Sequence, residues 1–254
     1  MTETLTAPSR PRITWRQARV VEARPETPRA RTLVLEVPGW PGHRAGQHVD
    51  VRLTAEDGYQ TQRSYSIASP PEEARLSLTV ERIEDGEVSP YLTDELRVGD
   101  LLELRGPVGG YFTWDAARDG GPLFLVAGGS GVAPLMSMLR HRAAARSRAP
   151  ARLLYSARTV EDLFYREELQ RLAAGDAGLE IIHTLTREQP AGWTGRTGRI
   201  DRDLLASVAW APRERPLIYI CGPTSLVEAT ASLLQAQGHA PERLKTERFG
   251  PTGN

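Results

Sequence analysis

The chain has 254 residues, with 32 Lys and Arg balanced by 32 Asp and Glu, which is enough length for one large or two ordinary domains with a substantial core and leaves no net field to recruit nucleic acid or an anionic membrane surface. Its one cysteine, Cys221, excludes an internal disulfide framework and a thiolate-held iron-sulfur cluster built from this chain alone. The histidines His43, His48, His141, His183 and His239 stand apart without paired ligand spacing, so no metal site is expected.

Lys245 is the only lysine, an arginine-biased usage that lowers the information carried by any single Arg. Residues 1–11 are polar and broken by prolines, and no run of 18 apolar residues occurs, so the expectation is a cytoplasmic protein without a membrane segment. A monomer is expected.

From the N-terminus, segments 19–23, 31–37, 48–53, 63–69, 76–80 and 101–104 read as short strands separated by turn residues. In 32–37 and 76–80 apolar residues fall largely on alternate positions, as in a sheet with one face packed inward. One short helix is expected over 90–96. Six strands predict an antiparallel six-stranded β-barrel over 12–115.

Past the turn-rich stretch 115–122, apolar strands at 123–127, 152–156, 179–185 and 217–221 alternate with helical segments at 133–146, 161–173, 201–207 and 224–237. That order predicts a second domain over 120–254, an α/β doubly wound parallel sheet.

The first chemically suggestive group is Arg63-Ser64-Tyr65-Ser66. On a strand Arg63 and Tyr65 project to one face, a cation and an aromatic ring together, as a flavin with its pyrophosphate requires. Alone, such a tetrapeptide is more often an ordinary edge strand with a surface tyrosine. Arg82 and the run from Gly86 through Val88 and Ser89 form a Gly turn before a short helix, read either as an anion site at the helix start or as a plain capped helix. The turn at 105–112 (R-G-P-V-G-G-Y-F) adds glycines and aromatics where the barrel should end.

At 125–134 an apolar strand enters a glycine-rich turn and then a helix. Gly128, Gly129 and Gly131, with Pro134 in the first helical turn, would let backbone approach a dinucleotide pyrophosphate, although the spacing is not G-x-G-x-x-G. Cys221, Gly222 and Pro223 follow the strand 217–221, so the thiol belongs at the carboxyl end of a sheet strand, where α/β proteins collect ligands. Taken alone, Cys221 reads as a small buried residue; Gly222-Pro223 beside it favours a site.

The ordered set R-x-Y-S, G-x-x-S, G-P-x-G, G-G-x-G-x-A-P, C-G-P and a terminal E-x-F resembles the ferredoxin-NADP reductase family from about Thr14 onward. The resemblance implies an FAD-binding barrel (FMN in some relatives), a nicotinamide domain, hydride transfer from NADPH to flavin, and single-electron transfer to an acceptor. It assigns Arg63 to the flavin pyrophosphate, Tyr65 to stacking on the flavin, and Ser66 to its hydride-accepting nitrogen. Cys221 and Glu247 would flank the nicotinamide as catalytic groups, and Phe249 would cover the flavin. Five further residues after Phe249 depart from some relatives and bear on that last role.

For the nucleotide, Ser156 and Arg158 after the second strand, with Arg187, Arg196 and Arg199, can meet a 2′-phosphate. No acidic residue immediately follows that strand, so NADPH is favoured over NADH. A single cysteine cannot supply a fused iron-sulfur domain, so the implied partner is a separate ferredoxin, flavodoxin or oxygenase component. Two other readings remain: a ferric-chelate or free-flavin reductase, and a catalytically silent nucleotide-binding subunit or sensor.

Overall fold

The computed structural model describes residues 13–250. The outer ends of the two expected domains, residue 12 and residues 251–254, and the polar N-terminal segment 1–11 lie outside the described residues.

The first half is an antiparallel sheet of β1 (Trp15–Thr27), β2 (Ala30–Glu36), β3 (His48–Thr54), β4 (Gln60–Ser66), β5 (Leu76–Glu81) and β6 (Leu101–Val108). Its order is β4-β3-β6-β1-β2-β5, and a bridge between Ile67 and Leu78 joins the two edges into a barrel. The alternation read in the sequence is the cause. Ala18 and Val20, Leu33 and Leu35, Val49 and Val51, Leu76, Leu78 and Val80, and Leu102 and Leu104 all face one buried interior. The expected short helix is a single wide turn, Tyr91–Glu95, whose Leu92 joins that core.

The second half is a parallel sheet of β7 (Leu123–Gly128), β8 (Ala151–Ala157), β9 (Leu179–Leu185), β10 (Arg196–Thr197), β11 (Leu217–Pro223) and β12 (Leu244–Phe249). The helices are α1 (Val132–Ala144), α2 (Arg166–Ala174), α3 (Arg202–Val208) and α4 (Thr224–Ala236). Strand order is β10-β9-β8-β7-β11-β12, so the chain reverses its direction of travel across the sheet between β7 and β11. Two strands, β10 and β12, were not expected, and α2 starts at Arg166 rather than 161 because 158–165 forms the loop that meets the barrel.

Period-2 alternation divides the sheet's faces. Leu123, Leu125, Leu153, Tyr155, Tyr219 and Cys221 pack with α1, α2 and the barrel residues Ala45, Ala68, Phe112 and Trp114. Phe124, Val126, Leu154, Ile218 and Ile220 pack under α3 and α4.

Polar contacts join the halves around this apolar seam. Ser137 Oγ donates to the Ser69 carbonyl at 2.7 Å, and Arg140 donates to the Ala68 carbonyl at 2.7 Å while forking onto Glu168. Tyr111 donates its hydroxyl proton to the Leu244 carbonyl at 2.9 Å, and Lys245 donates to Thr113 O at 3.1 Å. Among the described residues no helix is long and apolar enough to cross a membrane.

Candidate active site

The strand order places the carboxyl ends of β7 and β11 side by side where the chain direction reverses, the position at which open α/β sheets bind ligands. The three glycines of the β7–α1 turn do different jobs there. A Cβ on Gly131 would lie 2.2 Å from the Cys221 carbonyl oxygen, so its lack of side chain lets the turn close onto β11. A Cβ on Gly128 would meet Leu226 and Pro223, again a matter of close packing. Gly129 differs: its φ is +53° and nothing lies within 4 Å of where its Cβ would point. This open backbone lines a cleft of about 500 Å³. Pro134 is buried in the first turn of α1.

Parallel pairing of β11 with β12 sets Cys221 opposite Glu247, Gly222 opposite Arg248 and Pro223 opposite Phe249. Cys221 is 3% exposed and faces the barrel side of the sheet. Burial, and secondarily the charge of Glu247, hold its thiol well above the usual range. Desolvation pushes the Glu247 carboxyl up to about 7. Near neutrality the thiol is therefore protonated, while the Glu247 carboxyl is poised between its protonated and ionised forms.

On the barrel, β3–β4 pairing puts Val49 opposite Tyr65 and Val51 opposite Arg63, so both site residues share a face with core valines. Tyr65 is half-buried against that core, and burial pushes its hydroxyl up to about 12. Arg63 is exposed, and its nearest anion is the Glu87 carboxylate at 3.7 Å. Ser64 points the other way, donating to Asp50 at 2.6 Å, which also accepts from Arg105. Ser66 ends β4, half-buried. Arg82 pairs with Asp94 at 2.8 Å. Ser89 is buried and accepts from the Ile83 N–H, while Val88 packs into the core. A Cβ on Gly86 would crowd Ser89 Oγ at 3.0 Å, so this turn is shaped by its own packing.

Of the residues singled out in the second half, Gly128, Gly129, Ser156, Arg158, Arg199, Pro223 and Phe249 line the cleft. Gly131, Pro134, Arg187, Arg196, Cys221, Gly222 and Glu247 do not. Arg196 lies on β10, lining a separate groove beside His183 and Trp193. Sequence reasoning missed Arg29 and Glu81, which bring the barrel to the cleft wall, and Asp162, Phe164 and Thr186. No local signal marks Arg29 or Glu81, because only the docking of the two halves brings them there.

The residues present fit the two groups such a fold implies. The uncluttered Gly129 backbone offers a cradle to a pyrophosphate, Ser156, Arg158 and Arg199 supply donors, and Arg63 with Tyr65 offers an exposed guanidinium beside a half-buried ring.

Comparison with known proteins matches this division. An oxidoreductase FAD-binding domain model matches residues 18–113, and an oxidoreductase NAD-binding domain model matches residues 125–232. The ferredoxin-NADP reductase B of Sorangium cellulosum is 36% identical over 241 residues, covering 92% of this chain and 97% of that protein. The chain belongs to the ferredoxin-NADP reductase family. Within this family it is also similar to the glycine betaine monooxygenase reductase subunit of Pseudomonas aeruginosa, at 33% identity over 212 residues and 82% of this chain. That match spans 57% of the relative's length. Among solved structures, an Amycolatopsis cytochrome P450 reductase superposes with a TM-score of 0.83 at 27% identity, covering 95% of this chain and 71% of that one. This member of the ferredoxin-NADP reductase family thus carries both the flavin and the nicotinamide halves of an oxidoreductase.

Proposed function

We propose that this chain oxidises NADPH, in preference to NADH, through FAD held on the barrel, and delivers the electrons to a separate ferredoxin, flavodoxin or oxygenase component. One observation carries the reading. At the direction-reversal point of the sheet, the open Gly129 backbone of the β7–α1 turn lies beside the end of β11, where Cys221 and Pro223 are paired with Glu247 and Phe249 of β12 and Cys221 faces the barrel side.

A bound FAD supplies the conversion between two-electron hydride chemistry and single-electron release. The chain's own residues bind, orient and exclude water. Arg63 neutralises a pyrophosphate, Tyr65 gives a flat apolar surface, and Ser66 offers a hydroxyl at the end of β4. Cys221 packs a small, neutral, non-ionising side chain beside the nicotinamide ring. Glu247 would present a carboxyl next to that ring, and Phe249, which lines the cleft, would cover the flavin. Arg82, with the buried turn formed by Gly86, Val88 and Ser89, supports the flavin side.

The choice of NADPH is supported by Ser156, Arg158 and Arg199 on one cleft wall. Delivery to a protein acceptor is supported by relatives whose names describe them as reductase components of naphthalene dioxygenase systems and of glycine betaine monooxygenase.

The test is the visible spectrum of purified protein after addition of FAD, followed by anaerobic NADPH or NADH. Flavin absorbance that bleaches faster with NADPH is expected. Absence of bound flavin would overturn the reading, and faster bleaching by NADH would overturn the nucleotide choice alone.

A further inference from the structure

Behind the cleft, four side chains from both halves close a ring of hydrogen bonds. The Tyr165 backbone N–H donates to Glu26 Oε1 at 2.7 Å. Thr32 Oγ1 donates to Glu26 Oε2 at 2.8 Å, Thr32 and Thr79 hydroxyls meet at 2.7 Å, and the Tyr165 hydroxyl meets Thr79 Oγ1. Chemistry assigns every proton. A carboxylate only accepts, so the Thr32 proton goes to Glu26; Thr79 must then donate to Thr32, and Tyr165 must donate to Thr79. Donation runs in one direction from the tyrosine hydroxyl to the carboxylate, and the tyrosine's own N–H closes the loop.

Three observations indicate that the ring is more than ordinary packing. Thr32, Thr79 and Tyr165 are 0%, 6% and 3% exposed, so each lost partner leaves a buried polar atom. Tyr165 holds φ at +56°, a left-handed conformation that a bulky residue adopts at a cost, and from there its N–H and O–H reach two different strands of the barrel. The ring members also adjoin the cleft. Glu26 and Thr32 bracket Arg29, Thr79 is two residues from Glu81, and Tyr165 follows Phe164; Arg29, Glu81 and Phe164 all line the cleft.

We propose that this ring is a positioning device that holds the barrel wall of the nucleotide cleft, Arg29 and Glu81, at a set spacing from the opposite wall, Arg158, Asp162 and Phe164. Glu26, Thr32, Thr79 and Tyr165 are positioning residues and do not touch the dinucleotide. The identity of the cleft's occupant rests on the function proposed above, whereas the locking of the two walls does not.

The test compares the native chain with Thr79→Val, which keeps the shape but strands the Tyr165 hydroxyl, and with Glu26→Ala, which removes the acceptor of the Tyr165 N–H. Amide hydrogen exchange over residues 158–166 is expected to quicken by about tenfold in either variant, with the barrel strands β3 and β6 unchanged. Titration with NADP+ and with NAD+ is expected to show a Kd raised by about tenfold for whichever nucleotide the native chain binds, with flavin retention unaltered.

Unaltered exchange over 158–166 in both variants would overturn the lock. Faster exchange with an unaltered nucleotide Kd would reduce the ring to a structural feature and overturn its positioning role. A native chain that binds neither nucleotide would sink the proposed function, with exchange still deciding whether the ring locks the walls. Should Glu26→Ala fail to fold, Thr79→Val carries the same measurements.

Discussion

Cys221 and Glu247 are direct partners in the parallel register of β11 and β12, and burial has moved the carboxyl to about 7 while raising the thiol further. Loss of hydride leaves a nicotinamide ring positively charged, so in the proposed function, which sets Glu247 beside that ring, its ionised form favours the oxidised product. Turnover is therefore expected to rise as pH increases through about 7 and to lose that step in Glu247→Gln. A pH profile of flavin reduction for both proteins checks it.

The same shift has a stability consequence with a definite sign. The folded-state value lies above the ordinary 4.5, so the folded protein holds this proton more tightly. The contribution is complete below about 4.5 and is lost as pH rises through about 7. Glu247→Gln carries no such term. Its thermal midpoint should therefore gain on that of the native chain between those pH values and then run parallel above them.

Gly131 and Gly129 should separate packing from ligand approach. In Gly131→Ala the new Cβ meets only backbone, at 2.2 Å from Cys221 O and 2.7 Å from Gly222 N, with no rotamer to relieve it. A stability loss on the order of 3 kcal/mol is expected from denaturant midpoints. Gly129→Ala meets no atom and should cost about 1–2 kcal/mol through its left-handed backbone, while weakening nucleotide binding more visibly.

The arginines should divide by location. Arg158→Ala or Arg199→Ala removes a cleft-lining guanidinium, and the KM for NADPH is expected to rise about tenfold or more, the loss of one charge-assisted hydrogen bond, with the KM for NADH little changed. Arg196→Ala, on the separate groove, should leave both constants alone. Steady-state kinetics with each nucleotide decides it.

Arg63 and Glu87 give a matched pair of flavin tests. Arg63→Ala should loosen FAD by about 1.5–3 kcal/mol. Glu87→Gln removes the carboxylate that lies 3.7 Å from Arg63 and should tighten FAD modestly, since the flavin phosphates would no longer be repelled by it. Fluorescence titration of the flavin-stripped protein measures both.

Much of the architecture was legible in the chain. Alternation at Leu33 and Leu35 or at Val49 and Val51 reports a surface with one buried face, which is a local property of a strand. The fully apolar run 123–127 reports a strand covered on both faces. β12 escaped notice because its residues, Leu-Lys-Thr-Glu-Arg-Phe, are mostly polar; an edge strand is held by main-chain bonds to one neighbour and needs little apolar surface. Glu247 and Phe249 therefore carry no strand signal of their own, yet pairing with β11 holds them in register.

The sequence by itself determined the element types, their order and the motifs that mark the family, because these depend on side-chain periodicity and on glycine placement along a short stretch of chain. Only the tertiary structure decided which glycine packs and which stays open, that Arg199 faces the cleft while Arg196 does not, and that Arg29 and Glu81 of the barrel complete its wall. Those outcomes depend on distances between segments remote in the chain, and such distances are set by how the two cores dock rather than by any local pattern.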